Sequence, residues 1–152
     1  TNNKLNEEVF LGATINTPSM LAVEDYLFSL SWVRSVGGLK GMIDRSNQNA
    51  KIIFDFVEKN KWLDNLALLP DTRSTTSVCL VFRDSRIKNE NIFVNKICKR
   101  LEDEGVAFDI GSHRDAPPGL RIWCGGTVES MNLTFLMPWI KWAFEVEISL
   151  LT

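Results

Sequence analysis

Histidine and cysteine are scarce here: the chain has one His and three Cys in 152 residues. A lone imidazole builds no multi-histidine metal site and gives weak support to Cys-His nucleophile chemistry. Cys79, Cys98 and Cys124 are odd in number, far apart and without a C-x-x-C spacing. That pattern argues against a disulfide framework or a zinc site and for buried, reduced thiols in a cytoplasmic protein. No apolar run is long enough to span a bilayer. Thr1-Asn2-Asn3-Lys4 followed by Glu7-Glu8 offers no signal-peptide core. An excess of charge of one sign is missing too. Seventeen basic residues against nineteen acidic ones leave a net charge of -2, so no global field points to nucleic acid or to an anionic membrane. The phosphate loop of P-loop enzymes, the dinucleotide fingerprint and the hydrolase nucleophile elbow are all absent. There is no initiator Met, and the expectation is a chain cut from a longer polypeptide.

What remains is an ordinary globular composition, with 45% hydrophobic and 24% charged residues, long enough for one domain with a real core. The first dozen residues have no period and read as an arm. Ile15-Asn16-Thr17-Pro18-Ser19 reads as a helix start, with Thr or Asn as cap and Pro at the first helical position. Met20, Leu21, Leu27, Leu30 and Val33 carry that helix to Gly37-Gly38, and a second helix follows from Leu39 to about Asn60. Leu66 to Leu69 is a short apolar run closed by Pro70-Asp71. Thr76 to Phe82 reads as a buried strand, Ile92 to Leu101 as a helix, and Val106 to Ile110 and Leu120 to Cys124 as strands. Gly125-Gly126-Thr127 is expected to cap a last helix that Pro138 kinks or restarts. The fold class is therefore an α/β (α+β) sandwich, a small mixed or antiparallel sheet with helices mainly on one face. The Asn132-Leu133-Thr134 sequon falls in a helix and is discounted, and Trp139 and Trp142 read as helix packing.

Chemistry concentrates in Gly111-Ser112-His113-Arg114-Asp115-Ala116-Pro117-Pro118-Gly119-Leu120-Arg121. Strands flanking a Pro-Gly loop would bring His113, Arg114 and Arg121 near one another. Arg121 interrupts an apolar strand, and a desolvated guanidinium needs an anion. A visiting carboxylate or phosphate would satisfy it, His and Arg together suiting phosphate. An internal acid such as Asp115 would serve as well, and is the commoner outcome for such an arginine. The helix start at Asn16-Thr17 similarly either caps itself or holds a phosphate on its free backbone donors.

Taken together, several stretches resemble the phosphoserine aminotransferase family, class V members of the fold type I pyridoxal-phosphate (PLP) enzymes. They are Gly12 to Tyr26, Arg73-Ser74 with Thr76-Ser77-Val78-Cys79-Leu80, His113-Arg114, and Gly119-Leu120-Arg121-Ile122-Trp123-Cys124-Gly125. The similarity covers nearly the whole chain, is to the C-terminal part of that family, and is greatest to its α-proteobacterial branch. It implies that Asn16 and Thr17 reach the PLP phosphate of a neighbouring subunit in a homodimer. It likewise implies that Arg121 grips the substrate α-carboxylate, and that His113 and Arg114 lie near the substrate phosphate. The loop between them is one residue longer than in some relatives. The implied reaction is reversible amino transfer between glutamate and 3-phosphohydroxypyruvate, giving 3-phosphoserine and 2-oxoglutarate in serine biosynthesis, with a related role in vitamin B6 synthesis in some members.

By the same resemblance the Schiff-base lysine belongs to a large domain N-terminal to everything present here. Lys40, Lys51, Lys96 and Lys99 sit in no matching motif. The expected division is residues 1–17 as an arm from that domain and residues 18–152 as the small C-terminal domain, inactive by itself. The expected partners are small dianionic substrates, with no nucleic acid and no membrane. Two other readings stay open: a non-catalytic α/β module that senses a small molecule, and another class V aminotransferase of serine-glyoxylate type.

Overall fold

The computed structural model describes residues 5–151, in two units divided between Leu39 and Lys40. In the first unit a short 3-10 segment, Glu7–Leu11, is capped by Asn6, whose side chain accepts from the Glu8 N–H. Helix α1 follows at Met20–Ser35. Its N-cap is Ser19, whose hydroxyl accepts from the Ala22 N–H. The expected cap at Thr17 or Asn16 is thus displaced, and Pro18 lies outside the helix rather than at its first position. No residue of α1 is buried. Gly37 and Gly38 both take positive φ (99° and 64°), a backbone region that costs glycine little and ends α1.

Helix α2, Gly38–Lys59, has the apolar stripe that its spacing predicts, burying Ala50, Ile53 and Val57. Strands β1 (Leu63–Asn65), β2 (Ser77–Phe82) and β3 (Leu120–Trp123) form an antiparallel sheet in the order β1-β2-β3. Leu63 lies opposite Phe82 on one side of β2, and Cys79 opposite Arg121 on the other. Helix α3, Glu90–Asp103, is capped by Asn89, which accepts from the Ile92 N–H at 3.0 Å. Helix α4 runs Ser130–Ser149.

Alternation along the strands sorts the side chains. Val78, Leu80, Phe82, Leu120 and Ile122 join one core cluster with residues of α2, α3 and α4, whereas Arg121 and Trp123 stay partly or fully outside it. An aromatic stack reinforces this core, with the Trp62 and Phe144 ring centroids 4.0 Å apart and Phe82 edge-on to Phe93 at 5.4 Å.

Three local expectations need correction. Val106 to Ile110 forms no strand. The N–H groups of Val106 and Ala107 are bonded to the Leu101 carbonyl at the end of α3, and Asp109 has φ 51°, which breaks extended pairing. Only Gly111 makes an isolated bridge, to Leu120. Helix α4 begins after Glu129, without a side-chain cap, rather than at the glycine pair. It also continues through Pro138 without restarting, because tertiary packing of Met137 and Ile140 outweighs the lost donor.

Candidate functional site

The second unit carries a hairpin-like turn between the end of α3 and β3. The Arg121 N–H donates to the Ile110 carbonyl at 2.7 Å and the Ser112 N–H to the Gly119 carbonyl at 3.0 Å. His113 and Arg114 therefore sit on the loop immediately beyond this closure. Gly119 is required there, since a Cβ on it would come within 2.0 Å of the Leu80 carbonyl oxygen of β2. Within the loop His113 Nδ1 accepts from the Asp115 N–H at 3.2 Å, which leaves Nε2 to carry the proton of the neutral ring. Asp115 Oδ2 lies 3.5 Å from Arg114 Nε and 3.6 Å from His113 Nδ1, all three side chains being exposed.

Arg121 projects from β3 into an open concavity of about 580 Å³. Ser77, Asp109, Ile122, Trp123 and Asn132 are among its lining residues. Asp115 is not its counter-ion. The nearest carboxylate is that of Asp109, whose Oδ2 is 3.8 Å from Arg121 Nη2, with the two side chains 94% and 38% exposed respectively. That separation is beyond hydrogen-bond reach. Nor is the guanidinium desolvated, as its place in an apolar strand suggests: it occupies the face of β3 that turns away from the core. Asp109 is a site residue that sequence reasoning missed. The one available signal was a charged residue inside an otherwise apolar run, Val106-Ala107-Phe108-Asp109-Ile110.

The loop that follows β3 is held by a side chain the sequence does not single out. Asn49 of α2 is fully buried. Its Nδ2 donates to the Val128 carbonyl at 2.8 Å and the Gly125 carbonyl at 3.2 Å, while its Oδ1 accepts from the Ser130 hydroxyl at 2.7 Å. Arg45, one turn earlier, donates to the Gly126 carbonyl and pairs with Glu129. Gly125 lets the Trp123 ring lie against it, since a Cβ would come within 2.6 Å of that ring.

Asn16 and Thr17 lie in the first unit, and both are exposed. The Thr14 hydroxyl donates to the Asn16 carbonyl at 2.7 Å, which shapes the bend ahead of α1. A neutral amide and a hydroxyl, exposed beside a helix start, are donors of the kind that hold a phosphate, so these residues fit that role chemically. Among the described residues no group of His, Cys, Asp and Glu is placed to hold a metal ion, and no helix is long and apolar enough to cross a membrane.

The fold is one that solved structures share. It superposes on the phosphoserine aminotransferase of Bacillus circulans subsp. alkalophilus with a TM-score of 0.76 and 21% identity, covering 91% of this chain and 36% of that one. The likeness to the PLP-bound phosphoserine aminotransferase from Trichomonas vaginalis gives a TM-score of 0.75 at 18% identity, over 88% and 36% of the two chains.

In sequence the chain is similar, over nearly its whole length, to the phosphoserine aminotransferases of two Methanosarcina species. It is 52% identical to that of Methanosarcina mazei over 143 residues and 51% identical to that of Methanosarcina barkeri over 145. Each alignment covers 94% of this chain, which spans 37% of the length of these curated relatives. No family model matches the sequence.

Proposed function

We propose that this stretch is the substrate-gripping C-terminal domain, with its leading arm, of a PLP-dependent phosphoserine aminotransferase. The arm is residues 1–17 and the domain residues 18–152. The whole protein would catalyse reversible amino transfer between glutamate and 3-phosphohydroxypyruvate, in the cytoplasm and as a homodimer. Asn16 and Thr17 hold the cofactor phosphate from the neighbouring subunit. The cofactor supplies the electron sink for chemistry at the amino-acid α-carbon. Arg121 binds the substrate α-carboxylate, and His113 and Arg114 meet its phosphate. The stretch is inactive by itself because no lysine in it answers to the one that bears the cofactor.

One observation carries this reading. Arg121 stands on an open concavity with its nearest acid beyond hydrogen-bond distance, whereas His113 and Arg114 sit on the loop that leads into its strand and are not among the lining residues. Arginines committed to structure here find hydrogen-bond acceptors in the fold, as Arg100 does on Glu147 and Arg73 on the Ala67 carbonyl. In the full-length protein Arg121→Ala is expected to cost about 1.5–3 kcal/mol of transition-state binding, roughly 10- to 150-fold in kcat/KM for phosphoserine. Unchanged efficiency in steady-state kinetics would overturn the assignment.

A further inference from the structure

We propose that Asp109 is a displaceable counter-ion that holds Arg121 in the empty site and is exchanged for the substrate carboxylate; this rests on the reading of Arg121 given above. Among the described residues Asp109 is the non-glycine residue with positive φ, 51°. Asp and Asn tolerate that conformation better than other side chains do. The conformation is fixed from both sides. The preceding backbone is tied to the end of α3 through Val106 and Ala107, and the Ile110 carbonyl is bonded to the Arg121 N–H. The carboxylate is thus aimed at the guanidinium by main-chain geometry while its own side chain stays 94% exposed. At 3.8 Å the pair is ionic without being hydrogen-bonded. Among the described residues Asp109 and Arg121 are also the only charged ones lining the concavity, so neither has a competing partner on its wall.

Such a pair is oriented but weakly held. A carboxylate able to fork onto the guanidinium replaces it readily, because the fork gives two charge-assisted hydrogen bonds where Asp109 gives none. A tetrahedral oxyanion such as sulfate can fork onto the guanidinium too, and it gains likewise when the Asp109 charge is removed. Asp109 is accordingly a positioning residue that weakens every anion at Arg121 and yields to those that fork.

The test uses the full-length protein. Asp109→Asn and Asp109→Gly both keep a backbone suited to positive φ and remove the charge. Each is expected to lower KM for phosphoserine by roughly two- to five-fold, the span of an exposed ion pair, with kcat unchanged, and to strengthen inhibition by inorganic sulfate by at least as much. An unchanged or raised KM, or sulfate inhibition that does not strengthen, overturns the proposal, and so does a different response from the two variants, which would mark a backbone effect. Arg121→Ala measured alongside separates the two claims. If it raises KM while the Asp109 variants do not lower it, only the counter-ion role falls. If it leaves KM unmoved, the site reading falls and takes this inference with it.

Discussion

Asn49 offers a sharp test of how the scaffold holds the loop after the arginine strand. It is fully buried on α2 and makes three hydrogen bonds, two donated to the carbonyls of Val128 and Gly125 and one accepted from Ser130. Replacement by Ala deletes all three, although the Gly125 carbonyl keeps the Val128 N–H at 3.0 Å. Val128 and Ser130 are only partly buried, so water can compensate there. Taking about 1 kcal/mol per lost bond, with the emptied space of a fully buried side chain added, the expected cost is about 2–4 kcal/mol. For a chain of this size that is a fall in Tm of roughly 5–15 °C. Asn49→Asp is more discriminating. It keeps the volume and the acceptor for Ser130, but turns an oxygen toward two carbonyls, so at pH 7 it should destabilise at least as much as Ala. Burial and those carbonyls raise the introduced carboxyl above its unfolded value of about 3.9. The penalty is therefore smallest below pH 4, where the group is protonated in both states and can donate, and it grows as pH rises toward the folded pKa. Urea unfolding at pH 4 and pH 7 measures this. If Asn49→Asp matched the unsubstituted protein at pH 7, or followed the same pH profile as Asn49→Ala, the anchoring role would be refuted.

Two further expectations follow from charges outside the site. Glu147 is almost fully buried and accepts from Arg100 Nε at 2.9 Å, with the Lys96 ammonium 4.0 Å away, so Arg100→Met, which leaves that carboxylate to Lys96, should cost about 1–3 kcal/mol, and Arg100→Met with Glu147→Leu should recover most of it in thermal melts. A double variant no more stable than the single one would refute the pairing. The side-chain hydrogen bonds from Arg86, assisted by its backbone N–H, pull the Asp84 carboxyl down to about 2. Because that folded value is depressed, the stabilisation is present above pH 4 and is lost as pH falls through 2, and Asp84→Asn should flatten this limb. An NMR titration midpoint near 4 for Asp84 would show the pairing to be absent in solution.

Much of the fold was legible because its stripes are long. The period of α2 and α3 and the apolar run of β2 each repeat the same signal over several turns or residues, and β3 is bounded by a Pro-Gly loop and a glycine pair. β1 was not legible: Leu63-Asp64-Asn65 is three residues, two of them polar, and its identity as a strand comes entirely from pairing with β2. Val106 to Ile110 misled for the opposite reason. Its composition is that of a strand, but the end of α3 takes its first two N–H groups and Asp109 turns the chain. At Pro138 α4 does not restart, because propensity counts a lost donor and does not count the core that Met137 and Ile140 enter.

The candidate site was legible in its cations and not in its anion or its support. Arg and His on a short Pro-Gly loop are visible as letters, whereas Asp109 matters only because a hairpin closure folds its carboxylate toward Arg121. Asn49, far away in the chain, matters only because α2 passes beneath the loop after β3. A guanidinium in an apolar strand is expected to be desolvated, yet period-two alternation turns every second residue of β3 from the core, and Arg121 is one of these. What marks it out is a geometry in which an exposed cation is held by main-chain placement against an acid it does not hydrogen-bond, a pair that costs little to separate when a better-shaped anion arrives.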